Sequence, residues 1–329
     1  MALEFKKAKR EQVRMKIGMS GPSGSGKTMS SLRLAYGITK AEFPDLSESE
    51  VWDKICLIDT ENGSGSLYVG TQVGSMKIGE YNTIDLVPPF SPDNFTDAIH
   101  MAEDHGINVI IIDSLSHAWA GQGGALDQQG AIAARSGNSY TAWRTITPQH
   151  NKLVDAMLQS RCHVIANMRA KMEYQQTKNE NGKSQVKAIG MGVIMRDGIE
   201  YEFTTAFMLD YEHIANATKD RTGMFDGKYF MIDENTGKQM YQWLSSGAPV
   251  VKNESTVPAP APAPAADSNE QLQKAIDAVD KLIQPLVADA DKETKAEIAA
   301  RIKSVIGISN YKKCTDIDKL RELYREFKE

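Results

Sequence analysis

The chain has 329 residues, of which 41% are apolar and 25% charged, and a formal net charge of −5. This balance is typical of a globular protein with one sizeable core and a small second domain. No run approaches the ~18 apolar residues of a membrane span, and the basic start of the chain lacks the apolar centre of a signal peptide. The sequence therefore predicts no membrane contact and a cytoplasmic location. The three scattered cysteines predict buried thiols rather than disulfides or a metal site.

Basic residues are concentrated in two segments, although the net charge is negative. A negative sum argues against a nucleic-acid partner, because clustered Lys and Arg supply most phosphate binding. Residues 161–196 nevertheless carry seven basic against two acidic residues, and residues 1–16 carry six against two. An acidic chain with two such segments can still bind a polyanion locally.

Apolar runs alternate with helix-period segments over the first 250 residues. This order predicts an α/β fold, in which a mostly parallel central sheet is covered by helices on both faces. Parallel strands are expected at residues 13–19, 54–59, 108–113 and 163–168. Two later runs, residues 201–210 and 227–232, are expected to form antiparallel or edge strands.

The stretch GPSGSGKT, residues 21–28, carries the strongest chemical signal in the sequence. It matches G-x-x-x-x-G-K-[ST], and it lies between a predicted strand and a predicted helix, as a phosphate-binding loop requires. Its backbone N–H groups and the start of the helix would point at phosphate oxygens. We expect ATP here, with Lys27 on the β and γ phosphates and Thr28 on Mg²⁺. The expected nucleotide ligands are Gly21, Ser23, Gly24, Ser25, Gly26, Lys27 and Thr28.

Two further strands end in carboxylates that suit this site. The strand in VIIIDS, residues 109–114, delivers Asp113 to the metal. LIDTENGSGS offers Asp59 and Glu61, of which Glu61 is the better base for the attacking water because it lies further out, before a glycine-rich loop. Two solvated carboxylates at a strand exit are the alternative interpretation.

These motifs, in this order, resemble those of the RecA family. ICLIDTENGSGSLY is similar to the RecA segment whose Glu activates water, and VIIIDSLSHAW resembles the metal-binding strand of that family. More closely, residues 1–248 look like the phage-encoded RecA-like P-loop ATPases that accompany single-strand annealing and recombination. The resemblance implies a RecA-like core that hydrolyses ATP in the host cytoplasm. In HVIANMRAK it places Asn167 where the family carries an amide, usually glutamine, that senses the γ phosphate.

The resemblance also implies single-stranded DNA as a partner. Its counterparts of the RecA DNA-binding segments are residues 120–144 and 169–196. The second segment suits the role chemically, because cations can contact phosphates and an aromatic ring can stack on a base. The candidate residues are Arg169, Lys171, Tyr174, Lys178, Lys183 and Lys187. A polar β-hairpin is the alternative structure, and a hairpin could itself carry the DNA contacts.

A third resemblance concerns TKDRTG, residues 218–223. It is similar to the Lys-x-Arg-x-Gly element that RadA-type proteins and hexameric helicases insert into a neighbouring subunit's ATP site. The similarity implies that Lys219 and Arg221 complete the site of a neighbour in a head-to-tail homo-oligomer. A cation supplied in this way can increase turnover by ~10³-fold or more. A solvated charged turn is the alternative.

A Pro/Ala-rich stretch divides the chain. Residues 249–268 are expected to form a semi-rigid linker between the ATPase domain, residues 1–248, and a small helical bundle, residues 269–329. The bundle carries no recognisable chemistry. Two other functions stay open: a nucleotide-gated adaptor that docks a protein partner through the bundle, and a small-molecule P-loop kinase, although no lid is evident.

Overall fold

The structure is a computed structural model that describes residues 5, 7, 12–178, 184–247 and 266–328, except residues 289, 307, 309 and 315. The chain separates into two compact units, Met1–Val250 and Val251–Glu329. Most of the predicted linker lies outside the described residues, and a helix already begins at Ala266. No helix in the described part of the chain is both long and apolar enough to cross a bilayer.

The first unit contains all the strands that the structure describes and most of its helices. The strands are β1 (Lys16–Gly21), β2 (Ile55–Asp59), β3 (Gln72–Val73), β4 (Met76–Lys77), β5 (Asn82–Asp85), β6 (Val109–Asp113), β7 (His163–Lys178), β8 (Ser184–Val193), β9 (Thr205–Leu209), β10 (Ala215–Asp220) and β11 (Tyr229–Phe230). The helices of this unit are α1 (Lys27–Glu42), α2 (Glu48–Asp53), α3 (Pro92–Asp104), α4 (Ser116–Ala120), α5 (Ala125–Ser136), α6 (Ser139–Gln159) and α7 (Glu234–Ser245).

The main sheet has the order β11-β10-β9-β1-β7-β6-β2-β5, and β8 pairs with β7 beyond this path. The run from β9 to β5 is parallel throughout, which confirms the predicted α/β fold with a mostly parallel sheet. Residues 201–210 were expected to be antiparallel or at an edge. β9 is antiparallel to β10, as expected, but it also pairs parallel to β1 and so lies inside the sheet. Its residues are almost entirely buried, as expected of a strand covered on both faces. Only β10 and β11 form the antiparallel edge of this path.

Alternation along the strands divides the core into two layers. On one face of the sheet, Ile111 of β6 and Ile165 of β7 pack in the same cluster as buried residues of α1 and α7. On the other face, Ile110 and Ile112 of β6 pack in a cluster with buried residues of α3, α4 and α6. Because side chains alternate between faces, residues 57, 59, 111, 113, 165 and 167 all belong to the α1 face. This assignment decides which strand-end residues meet the phosphate loop.

The backbone of helix α1 packs closely against that of α7. A Cβ at Gly37 would lie 1.9 Å from the carbonyl oxygen of Glu234, and one at Gly237 would lie 2.3 Å from that of Leu34. The two backbones can approach this closely only because both positions lack a side chain. Arg33 adds an ion pair to Glu234 at 2.7 Å. The helix that begins at the phosphate loop is therefore held on both the sheet side and the α7 side.

The second unit consists of α8 (Ala266–Ala288), α9 (Lys292–Ile306) and α10 (Ile317–Lys328), with a 3-10 turn at Tyr311–Lys313. These helices correspond to the three helix-period segments of the sequence. The unit has a core of its own, formed by Val279, Ile283, Ile302, Ile306, Tyr311, Cys314, Leu320 and Leu323. All three cysteines of the chain are buried and unpaired, as expected.

Candidate functional site

The phosphate loop connects the end of β1 to the start of α1. Gly24 and Gly26 have φ angles of 80° and 83°, which residues with a side chain rarely adopt. Gly21 has no room for a side chain, because a Cβ there would lie 2.6 Å from the carbonyl oxygen of Leu209. The sequence therefore folds as a tight, glycine-dependent loop at the carboxyl edge of the sheet, where ligands of open α/β folds bind.

Lys27 folds back over this loop. Its Nζ donates to the carbonyl oxygens of Gly21 at 3.0 Å and Pro22 at 2.8 Å. Burial lowers the pKa of Lys27, and the nearby carboxylates of Asp113 and Glu61 act in the opposite direction. The ammonium is thus held over the centre of the loop, with both carboxylates close enough to influence it.

Asp113 and Thr28 form the expected metal-side pair. The Thr28 hydroxyl donates to Asp113 Oδ2 at 2.5 Å, across 85 residues of sequence. Burial raises the pKa of Asp113 to about 6, since its residue surface is only 6% exposed. A buried carboxylate beside a hydroxyl fits Mg²⁺, which takes one or two protein oxygens and draws its remaining ligands from phosphates and water. No cluster of three or more His, Cys, Asp or Glu in the described part of the chain could hold a metal without such help.

Asp59 and Glu61 have different roles. The Asp59 carboxylate accepts from the backbone N–H of Glu61 at 2.5 Å and of Gly65 at 3.1 Å. Asp59 therefore shapes the turn after β2, in which Asn62 and Gly63 have positive φ angles. Of the two carboxylates, Glu61 is therefore the one that lies towards the loop. Its side chain is 34% exposed and close enough to Lys27 to affect the pKa of that residue.

Arg169 lies in this site, which differs from the expectation that it belongs to a DNA-binding segment. Its guanidinium donates to Glu61 Oε1 through Nε at 3.2 Å and Nη2 at 2.7 Å. The backbone of Arg169 is in register with Gly21, the first glycine of the phosphate loop. Its charge also lowers the pKa of Lys27, after the larger effect of burial. The structure therefore adds a cation to the site from the same chain.

Asn167, the expected γ-phosphate sensor, lies beside Asp113 at the end of the buried part of β7. It has no exposed surface, and its Oδ1 accepts from the Ser31 hydroxyl of α1 at 2.7 Å. Its side chain lowers the pKa of the neighbouring Asp113, although Nδ2 makes no well-formed hydrogen bond to any described residue. Asn167 is level with Asp113 in the sheet, and Arg169 lies two residues further along the same strand, in register with Gly21.

Lys219 and Arg221 lie at the other end of the sheet. Asp220 between them pairs with Thr205, the first residue of β9, whereas the phosphate loop contacts Leu209 at its last. Lys219 donates to the carbonyls of Glu200 and Tyr201, and Arg221 donates to that of Tyr201 at 3.4 Å. The structure does not bring either cation to the nucleotide site of its own chain.

The remaining DNA candidates follow β7 outward. β7 and β8 form an antiparallel hairpin in which Tyr174 pairs with Ala188 and Lys178 with Ser184. The described backbone of this segment thus has the paired strands of the hairpin alternative. Lys171 is exposed on it, whereas the side chains of Tyr174, Lys178 and Lys187 and the whole of Lys183 lie outside the described part.

The other proposed DNA segment, residues 120–144, is largely helical, spanning α5 and the start of α6. Trp143 in this segment stacks on Trp119 with ring centroids 5.6 Å apart, as a packing residue does.

The sequence analysis did not identify one neighbour of the nucleotide site, His117. His117 Nδ1 lies 2.6 Å from the Thr60 hydroxyl, which accepts from the Ser114 N–H at 2.7 Å, so His117 ties the turn after β2 to the end of β6.

A comparison with known protein families shows which family this chain matches. The profile of a family described as AAA domain matches residues 14–238, which include the phosphate loop, Glu61, Asp113 and Arg169. The comparison with curated proteins found no matching sequence. The matched range covers about two thirds of the chain and nearly all of the first unit. The protein therefore belongs to the AAA-domain family of P-loop ATPase-like proteins.

Proposed function

We propose that the protein is a RecA-like ATPase that hydrolyses ATP while it acts on single-stranded DNA, in phage recombination or replication. The observation that carries the ATPase part is the meeting of Lys27, the Thr28–Asp113 pair and Glu61 at one edge of the sheet. Lys27 would neutralise the β and γ phosphates, and Glu61 would take a proton from the attacking water. Thr28 and Asp113 would hold Mg²⁺, which supplies further charge stabilisation on the phosphates.

Support for single-stranded DNA comes from the β7–β8 hairpin and its sequence. The hairpin continues β7 directly beyond Arg169, its sequence is basic, and Lys171 is exposed on it. Cations on a projecting ribbon can follow a phosphate backbone. The role in phage recombination or replication rests on the resemblance of residues 1–248 alone.

Support for head-to-tail assembly comes from the placement of Lys219 and Arg221. Both lie at the amino end of β9, and ATP is proposed at its carboxyl end. A surface that carries a cation at one end and a nucleotide site at the other can join to its own copies in a heterologous, repeating contact. Each subunit would then insert Lys219 and Arg221 into the ATP site of the next.

The ATPase proposal is tested with two substitutions. Lys27→Ala should abolish nucleotide turnover, because the β and γ phosphates lose their cation. Glu61→Gln should keep ATP binding and lose hydrolysis, because an amide cannot accept the proton of water. Phosphate release and binding of a fluorescent ATP analogue measure the two properties separately. Normal hydrolysis by Glu61→Gln would show that another group is the base.

The DNA proposal is tested by the ATPase rate with and without single-stranded DNA over a range of protein concentrations. Stimulation that rises with both variables is expected. Lys171→Ala should weaken it, whereas Lys77→Ala, at another exposed lysine on the separate β3–β4 hairpin, should not. A rate indifferent to DNA and to concentration would remove both the DNA partner and the oligomer from the proposal.

An adaptor function is the second candidate, favoured by the separate core of the second unit. That unit contains none of the residues assigned to ATP. Removing residues 251–329 should leave ATPase activity intact and abolish binding of a protein partner if the bundle is a docking module. Loss of ATPase activity and of assembly together would assign the bundle to oligomerisation instead.

A further inference from the structure

Arg169 is a cation in the nucleotide site that the phosphate-loop motif does not account for. We propose that Arg169 is a catalytic residue that binds the terminal phosphate of ATP within its own chain, and that it leaves Glu61 to do so. In the absence of ATP, the same side chain would hold the base in an ion pair. The inference rests on the proposed ATPase function and adds a residue and a control step to it.

Strand geometry explains why Arg169 points into the site. Ile165 packs on the α1 face and Asn167 bonds to Ser31 of α1, so Arg169, two residues further on, belongs to that face as well. The backbone N–H of Arg169 donates to Ser116 Oγ at 2.9 Å, which fixes the strand at this point. The side chain therefore starts from an anchored position beside Gly21 and extends over the loop.

The ion pair with Glu61 is suited to exchange. Its partners are 48% and 34% exposed, and ion pairs at such exposure contribute little net stability because water screens them. A phosphate carries more charge than one carboxylate, and guanidinium binds it through two parallel hydrogen bonds. A terminal phosphate placed next to Lys27 would therefore compete well for Arg169. ADP, which lacks that phosphate, would leave the pair closed.

The exchange places two groups where hydrolysis needs them. Released from Arg169, Glu61 can take a proton from water while the water oxygen forms a bond to the γ phosphorus. The bond from that phosphorus to the β–γ bridging oxygen breaks, and ADP leaves with the bonding electrons. Arg169 meanwhile donates to the γ-phosphate oxygens, where negative charge is most concentrated. The base is thus withheld until a nucleotide with a third phosphate is present.

The first test compares Arg169→Ala and Arg169→Lys with a matched control, Arg161→Ala. Arg161 also pairs with a carboxylate on the surface, Asp104 at 3.1 Å, but it precedes the other end of β7. Arg169→Ala should lower kcat by about 10³-fold. It should also weaken binding of a slowly hydrolysed ATP analogue by about 10- to 100-fold. Binding of ADP should stay within about twofold, because ADP lacks the phosphate that Arg169 binds. A tenfold change in affinity would need about 1.4 kcal/mol, which Arg169 does not supply to ADP.

Arg169→Lys should recover part of the analogue binding and little of kcat, because an ammonium lacks the fork that fits two phosphate oxygens. Arg161→Ala should change neither quantity. Retention of wild-type kcat and of the wild-type ratio of ATP-analogue to ADP affinity in Arg169→Ala would overturn the inference.

The second test detects the exchange itself. In Glu61→Gln the ion pair is lost before the nucleotide arrives, so the ATP analogue should bind about two- to fivefold more tightly than to wild type. The gain should vanish when Arg169→Ala is added, because no guanidinium is left to be released. An equal gain in both backgrounds would contradict the exchange.

The two proposals fail in different ways. If the wild-type protein neither binds nor hydrolyses ATP, the proposed function fails and the role of Arg169 fails with it. If the wild type hydrolyses ATP and Arg169→Ala matches it in kcat and nucleotide preference, only the role of Arg169 is refuted.

Discussion

Two inactive variants should restore activity to each other if Arg221 acts on a neighbouring subunit. Glu61→Gln lacks a working base but keeps Arg221, and Arg221→Ala keeps its own phosphate loop and base. In a head-to-tail assembly, a site on an Arg221→Ala subunit becomes complete whenever its neighbour is a Glu61→Gln subunit. The position of Arg221 rules out the ATP site of its own chain, so a role at such a site requires another subunit. Thr205 and Leu209 are four strand steps apart, about 13 Å, which exceeds the reach of an arginine side chain.

The expected magnitude follows from random mixing. With equal amounts of the two variants, half of the sites have an intact base and half of those have an intact neighbour. Turnover should therefore reach about a quarter of the wild-type rate and fall off on either side of the 1:1 ratio, because a heterologous contact pairs each site with one neighbour. Each variant alone should show only its residual rate.

The assay is steady-state phosphate release at fixed total protein and varied ratio, with assembly checked by light scattering. Lys228→Ala, at another exposed lysine close to the antiparallel edge, serves as a control and should be fully active alone. A mixture that gives only the weighted sum of the two residual rates, while assembly is normal, would refute a role of Arg221 in trans.

Two stability predictions follow from packing away from the site. Although burial opposes it, His163 and Arg14 lower the pKa of Glu42 to about 2. Because the pKa of Glu42 in the folded state is below the usual 4.5, the contribution of Glu42 to folding stability is complete above about pH 4.5. This contribution is lost as the pH falls towards 2. The loss should amount to at most about 3 kcal/mol by urea unfolding, and Glu42→Gln should flatten this acid slope. An unchanged slope would contradict the assignment. Gly37→Ala should lower the unfolding free energy by about 1–3 kcal/mol, because a Cβ meets a carbonyl of α7 at 1.9 Å. Gly130→Ala, with nothing within 4 Å, should raise it by about 0.5–1 kcal/mol, and equal effects of the two substitutions would refute the packing argument.

The phosphate loop and its carboxylates could be predicted because local chemistry specifies them. Residues 21–28 need positive φ angles and a following helix, and Asp113 ends a strand whose every residue is buried. Parallel strands bring their carboxyl ends to one edge, so the order of motifs was enough to place Lys27, Glu61 and Asp113 together. These predictions use short-range patterns, which a single sequence records well.

The features that could not be predicted depend on how long a strand is and on which distant strand it pairs with. The strand expected to end at residue 168 continues to Lys178, because it pairs with β8 after leaving the sheet. That extension carries the alternation of the strand past Asn167 and places Arg169 beside Gly21 of the phosphate loop. The parallel pairing of β9 with β1 is likewise set by a distant strand. The alternation of Ile165, Asn167 and Arg169 was a signal that these three residues share one face, once the length of the strand was known.

We have proposed two sources of positive charge for the site beyond Lys27, and the mixing assay separates them. Arg169 is placed to act on the nucleotide of its own chain, and Arg221 can act only on that of another. Arg169→Ala and Glu61→Gln disable the same kind of site, so their mixture contains no complete site in any arrangement. This mixture should stay at the residual rate at every ratio. The mixture of Arg221→Ala with Glu61→Gln should instead recover about a quarter of wild-type turnover at the 1:1 ratio. Recovery in both mixtures would mean that Arg169 also reaches a neighbour, and the exchange with Glu61 would then have to occur across the subunit contact.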